Sequence, residues 1–251
     1  MSRVSKIFLL VIGLFSAVTL TGRTVYITRH GQVGDPACKS PNGERGLTPL
    51  GVEQARQLGE YLKQKKFSGT IYASPLYRTM HTADLIAEIN GCSFAVDPGL
   101  QEFAPVFKEI NQGKYGICAE GCDGAAVKKY FPRATLSSRF TYPWRLMNEP
   151  ENMRHERCAK TLDAILDETT GDILLVGHSA IVKSFIFVLS KRADQPIVAT
   201  PWNCCLITVE LDEQRRVTSW KVETGNFQKP EQITNNFRKP LVPKPGDKRY
   251  K

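Results

Sequence analysis

Asp172-Ile173-Leu174-Leu175-Val176-Gly177-His178 carries four consecutive large apolar residues into a Gly-His pair. A strand with one wet face would alternate polar and apolar residues; an unbroken run needs cover on both faces, as a central strand of a parallel sheet has. A helix-like stretch, Ala180 to Leu189, follows at once. A second strand-like run, Thr24-Val25-Tyr26-Ile27, ends in Thr28-Arg29-His30-Gly31. Two of the chain's four histidines therefore close two core strands. In a doubly wound sheet ligands bind outside the carboxyl ends of the strands, so residues at these positions converge although they are far apart in sequence.

The rest of the pattern fits that frame. Strand-like runs cover Arg23 to Thr28, Thr70 to Ala73, Phe94 to Val96, Ile173 to Val176, Cys204 to Leu211 and Arg216 to Glu223. Helix-like stretches cover Pro49 to Gln64, Pro75 to Asn90, Met153 to Asp167 and Ala180 to Leu189. At 251 residues the chain is long enough for one α/β domain with a sizeable core. The expected fold is α/β, a mostly parallel sheet covered by helices on both faces in a single domain. The irregular stretch from Gly99 to Pro150 is too long for a plain connection. It holds Phe103, Phe107, Tyr115, Tyr130, Phe131, Phe140, Tyr142 and Trp144, so it reads as an inserted lid region with one or two short helices.

The strand ends carry phosphate chemistry. The Arg29 guanidinium is a flat fork of donors matching phosphate oxygens, and a neutral imidazole at His30 is a side chain able to form a covalent intermediate. In Ser74-Pro75-Leu76-Tyr77-Arg78, Ser74 suits a helix N-cap and Pro75 the first helical position, which puts Arg78 in the first turn beside the positive end of the helix. The bland alternative for Arg78 is a surface arginine. In Gly99-Leu100-Gln101-Glu102-Phe103 a single carboxylate sits among apolar neighbours, an environment that favours the protonated form a general acid needs. Glu109 and Glu120 lie in the same irregular region and compete for that role. His81 and His155 fall in polar helix-like stretches and read as surface residues.

Five pieces taken in order resemble the histidine phosphatase superfamily, the clan of phosphoglycerate mutases and many phosphomonoester hydrolases. They are Arg29-His30-Gly31, Leu47-Thr48-Pro49-Leu50-Gly51-Val52-Glu53-Gln54-Ala55, Ser74-Pro75 to Arg78-Thr79 with Thr82-Ala83, Leu100-Gln101-Glu102, and Gly177-His178. The resemblance implies that His30 is the nucleophile that becomes phosphohistidine. It implies that Arg29, Arg78 and His178 cradle the phosphoryl group, and that Glu102 protonates the leaving group. The chain departs from the metabolic mutases after Gly31, where Gln32-Val33-Gly34-Asp35 lacks their acid and closely following Asn, and an insert runs from Asp35 to Arg45. Hydrolysis of a small phosphorylated substrate is therefore the expected activity. A phosphoglycerate-type mutase and a non-catalytic phosphate-binding protein are the alternatives.

Both ends read as lying outside the catalytic domain, which is placed at residues 23–227. Residues 1–22 combine a cationic start with an uncharged run from Ile7 to Leu20, as a signal peptide or an uncleaved N-terminal anchor does. Export, or membrane attachment through this segment, is the expectation. Residues 228–251 form a basic tail interrupted by Pro230, Pro240, Pro243 and Pro245, expected to be extended; it supplies part of the net charge of +9. Nothing in it resembles a nucleic-acid-binding motif. Of seven cysteines, Cys118 and Cys122 are close enough for a local bridge, and the others show no metal-ligand spacing. The reading calls for no metal and no cofactor, and it does not give an oligomeric state.

Overall fold

The computed structural model describes residues 22–34, 46–102, 124–141 and 149–235. These residues build one seven-stranded sheet. The strands are β1 (Arg23–Arg29), β2 (Thr70–Ala73), β3 (Phe94–Val96), β4 (Ala134–Leu136), β5 (Ile173–Gly177), β6 (Ile207–Leu211) and β7 (Val217–Val222), in spatial order β4-β3-β2-β5-β1-β6-β7. The first five are mutually parallel, whereas β6 pairs antiparallel with β1 and β7 antiparallel with β6. The sheet is thus mostly parallel, as the apolar runs required. The helices are α1 (Pro49–Gln64), α2 (Tyr77–Asn90), α3 (Gly124–Tyr130), α4 (Glu151–Glu168) and α5 (Ser179–Ser190).

Period-two alternation along each strand divides the core. Tyr26, Ile71, Leu174 and Val176 face Leu58 and Leu62 of α1 and Met80, Ala83 and Ile86 of α2. Val25, Ile27, Ile173 and Leu175 face Leu162 and Ile165 of α4 and Ile181 and Phe185 of α5. Helices therefore cover both faces, and every residue of β5 is buried. The α1 start follows from its sequence: Pro49 occupies the first turn, and the Thr48 hydroxyl accepts from the Gly51 amide at 3.0 Å. The α2 end is fixed by Gly91 in the left-handed conformation at φ 66°.

Several expectations change. Helix α2 begins at Tyr77 rather than Pro75, and Leu76, not Ser74, occupies its N-cap with no side-chain hydrogen bond. The Ser74 hydroxyl is engaged elsewhere, as described below. The stretch from Gly99 to Pro150 holds helix α3 and also strand β4, whose three residues are too few to reveal a period. Its residues 103–123 and 142–148, with Glu109, Glu120, Cys118 and Cys122, lie outside the described residues, as do the N-terminal segment 1–21, the insert 35–45 and the tail from 236. The tail does not begin at Gln228. Gln228, Ile233 and Thr234 are buried, and a 3₁₀ turn spans Pro230–Gln232. No helix among the described residues is long and apolar enough to cross a membrane.

Candidate active site

Register brings the site together. Arg29 of β1 pairs with Gly177 of β5, and Ala73 of β2 pairs with Val176 of β5, so three neighbouring strands end level. The next residues of those strands, His30, His178 and Ser74, stand side by side at the carboxyl edge, with the His30 amide donating to the Gly177 carbonyl at 3.0 Å and the Ser74 amide to the Val176 carbonyl at 3.2 Å. Chain order reverses at this point: β5 inserts between β2 and β1. That is the switch point where such sheets bind ligands.

The hydrogen bonds dictate both imidazole tautomers. His30 Nδ1 lies 2.8 Å from the Gly31 carbonyl, which only accepts, so Nδ1 carries the proton and Nε2 holds the lone pair. Arg78 Nε donates to that Nε2 at 3.3 Å. The other arm of the same guanidinium, which has donors only, reaches His178 Nδ1 at 3.1 Å. His178 is therefore protonated at Nε2, from which it donates to Ser74 Oγ at 2.8 Å. Arg78 bridges two imidazoles whose ring centroids are 5.3 Å apart.

The electrostatics follow from burial. His30 and His178 are 3% and 1% exposed. Burial first, then the Arg78 cation, holds both well below the ordinary imidazole range, so both are neutral at neutral pH. Arg29 is buried too; loss of solvent brings its guanidinium down to about 10, still fully protonated at neutral pH. It donates to the Pro201 carbonyl at 3.0 Å and to Asn235 Oδ1 at 2.7 Å. Glu102, buried at the first turn of α5, accepts from the Ala180 amide at 3.4 Å. Two neutral imidazoles, two guanidiniums and one carboxyl thus share one buried edge of the sheet. A tetrahedral dianion is a species such a set can hold, with the His30 Nε2 lone pair free to attack it when Arg78 turns its donors from the imidazoles to the anion.

A family model for the histidine phosphatase superfamily (branch 1) matches residues 25–223. The chain belongs to the histidine phosphatase superfamily. Over 211 residues it is 39% identical to a probable phosphoglycerate mutase GpmB of Erwinia tasmaniensis, a match covering 80% of this chain and 91% of that protein. It is 22% identical over 195 residues to a 6-phosphofructo-2-kinase/fructose-2,6-bisphosphatase of Aquarana catesbeiana, of which the match covers 38%. Among solved structures, the ecdysone phosphate phosphatase from Bombix mori in complex with tungstate superposes with a TM-score of 0.57 at 20% identity, covering 86% of this chain and 95% of that one. That likeness is one of fold.

The five residues that the sequence singled out, Arg29, His30, Arg78, Glu102 and His178, all stand at this edge. Others were not expected. Ser74, read as a cap, accepts from His178 Nε2 at 2.8 Å and so orients that ring, with only a long 3.4 Å bond from the Leu76 amide on the helix side. Thr82 accepts from the Gly31 amide at 3.0 Å and donates to the Arg78 carbonyl at 2.8 Å, tying the His30 loop to α2. Asn203 is fully buried and donates to the His30 carbonyl at 3.0 Å. Gln54 accepts from the Gln32 amide at 2.8 Å and donates to Thr234 Oγ1 at 3.0 Å. Thr82 and Gln54 lie within the quoted family segments, whereas Asn203 and Asn235 had no local signal. His81 and His155 are half-buried rather than on the surface. His81 packs beside Tyr77 and Phe131, and His155 stacks on Phe187 at 4.0 Å. Among the described residues no group of three His, Cys, Asp or Glu side chains could hold a metal ion, and Cys92, Cys158, Cys204 and Cys205 are free.

Proposed function

We propose that the protein hydrolyses small phosphomonoesters through a phosphohistidine at His30. The observation that carries this reading is the tautomer: the Gly31 carbonyl holds the His30 proton on Nδ1 and leaves the Nε2 lone pair facing Arg78 and His178. Nε2 attacks phosphorus in line as the bond to the departing oxygen breaks. Arg29 and Arg78 stabilise the equatorial oxygens in a site closed to bulk water, and His178 joins them as a donor once its Nδ1 takes up a proton on binding the anion. Glu102 gives its proton to the leaving alkoxide, then as carboxylate takes one from the water that cleaves the P–N bond, which restores neutral His30 and releases phosphate.

The 39% identity to a probable phosphoglycerate mutase supports a second reading, in which the same intermediate returns its phosphoryl group to the bound organic product. The absence after Gly31 of the mutase-like acid and Asn favours hydrolysis. Rapid quench with radiolabelled substrate tests the common step: acid-labile phosphate is expected on His30, and none in His30→Ala. Labelled phosphoglycerate then separates the two outcomes. Inorganic phosphate supports the hydrolase, whereas isomerised phosphoglycerate without phosphate release overturns it in favour of the mutase.

A further inference from the structure

Glu102 is delivered to the site by a short, non-repetitive path. Strand β3 ends at Val96, the chain makes one 3₁₀ turn at Pro98–Leu100, and Gln101 leads directly into Glu102. The turn is fixed at its start by Asp97, whose fully buried carboxylate accepts from the Gly99 amide at 2.7 Å and from Arg139 Nε at 2.8 Å. The turn is also held by the fully buried Leu100 and by the Gln101 amide donating to the Pro98 carbonyl at 3.1 Å. To these α4 adds one side chain, Arg157. Its Nη1 donates to the Gly99 carbonyl and its Nη2 to the Gln101 carbonyl at 3.1 Å, so one planar guanidinium grips two carbonyls of the segment, the second of them in the peptide group that joins Glu102. The same guanidinium is braced by Glu149, with Nε to its two oxygens at 3.0 and 3.1 Å. Both members are largely buried, the Glu149 side chain to 3% exposure and Arg157 to 12%. Helix α4 itself is anchored in the core by Cys158, Leu162 and Ile165.

We infer that Arg157, braced by Glu149, is a positioning residue for the general acid: it sets where the main chain stands as it enters Glu102. The inference rests on the reading of Glu102 as proton donor. Proton transfer needs the carboxyl within about 2.6–3.2 Å of the leaving oxygen, and a displacement of about 1 Å costs roughly a hundredfold. A rigid fork that satisfies two carbonyls and one carboxylate at once holds that tolerance, whereas the single ammonium of a lysine on a flexible stem does not. A pair serving only stability would, when broken, weaken every substrate alike.

The test uses the full chain and compares kcat on a simple alkyl phosphate with kcat on p-nitrophenyl phosphate, whose phenolate departs with little need of a proton. Glu102→Gln calibrates the leaving-group dependence. Arg157→Gln and Arg157→Lys should each lose at least about tenfold more kcat on the alkyl than on the aryl substrate, with KM shifted less than about threefold. Glu149→Gln, which keeps an acceptor and the fold's shape, should show a smaller bias in the same direction. Thermal melts accompany each variant. Equal losses on the two substrates, or full recovery by Arg157→Lys, would overturn the inference while leaving Glu102 as the acid. If Arg157→Gln does not fold, an unbiased loss in Arg157→Lys and Glu149→Gln overturns it equally. If Glu102→Gln itself shows no bias, the acid assignment fails and this inference fails with it.

Discussion

Shifting the pH from 7.5 to 5.5 should destabilise this protein by about 3 kcal/mol through the two site histidines alone. In the fold, His30 and His178 are held neutral by burial and by the Arg78 cation, far below the range of a solvated imidazole. In the unfolded chain both take up protons near ~6.5. Below that pH the unfolded state binds more protons than the folded one, so stability falls as pH falls, and it keeps falling until the depressed folded-state values are reached. One pH unit under the unfolded value costs about 1.4 kcal/mol per ring, and ~3 kcal/mol for the pair. His81 and His155 are also shifted downward, chiefly by burial, and add smaller amounts with the same sign. Solvated carboxylates titrate near ~4, under this window. Urea denaturation at pH 7.5, 6.5 and 5.5 measures the loss, and His30→Gln and His178→Gln should each remove about half of the site's share. A flat profile in the wild type, or an unchanged acid slope in both variants, would refute the claim that the fold holds these rings neutral. The stability assay is preferable to a pH–rate profile here because a phosphate ester titrates near ~6 itself. The same displacement matters to the proposed function, in which His30 attacks phosphorus as the neutral imidazole.

Arg78→Ala removes the guanidinium that bridges His30 and His178, and should lower kcat/KM about 10²–10³-fold on alkyl and aryl substrates alike; a leaving-group-dependent loss would reassign Arg78. Asn235→Ala removes one acceptor of Arg29 and should raise the Ki for inorganic phosphate about tenfold, with little change in melting temperature; an unchanged Ki would exclude the chain beyond Gln228 from the site. Gly51→Ala would place a Cβ 2.1 Å from the Gln32 carbonyl oxygen and 2.8 Å from the Gln32 nitrogen, both main-chain atoms of the His30 loop. It should destabilise by about 1–3 kcal/mol and reduce turnover together, since the loop must retreat to admit it; wild-type melting would show that the approach is looser than this.

Local signals determined the parts of this protein that depend on local chemistry. An unbroken apolar run at Ile173 to Val176 requires cover on both faces whatever surrounds it, and the stretch from Pro49 to Gln64 reads as a helix with the bounds it has in the fold. Arg29, His30, Arg78 and His178 were legible because they stand at strand ends or in the first turn of a helix, whereas Glu102 had Glu109 and Glu120 as competitors and was chosen by the family resemblance. What tertiary structure decided is which groups hold those five in place. The Ser74 hydroxyl was equally suited to capping a helix or orienting an imidazole, and only the register of β2 against β5 presents it to His178. Strand β4 carries too few residues to show a period, and exists because β3 offers it an edge. Asn203, Asn235 and Arg157 reach the site from segments 173, 206 and 56 positions away from the residues they bond, His30, Arg29 and Gln101. A side chain that hydrogen-bonds across such a separation leaves no pattern in its own neighbourhood, since its partner is chosen by how the sheet folds and not by the residues beside it.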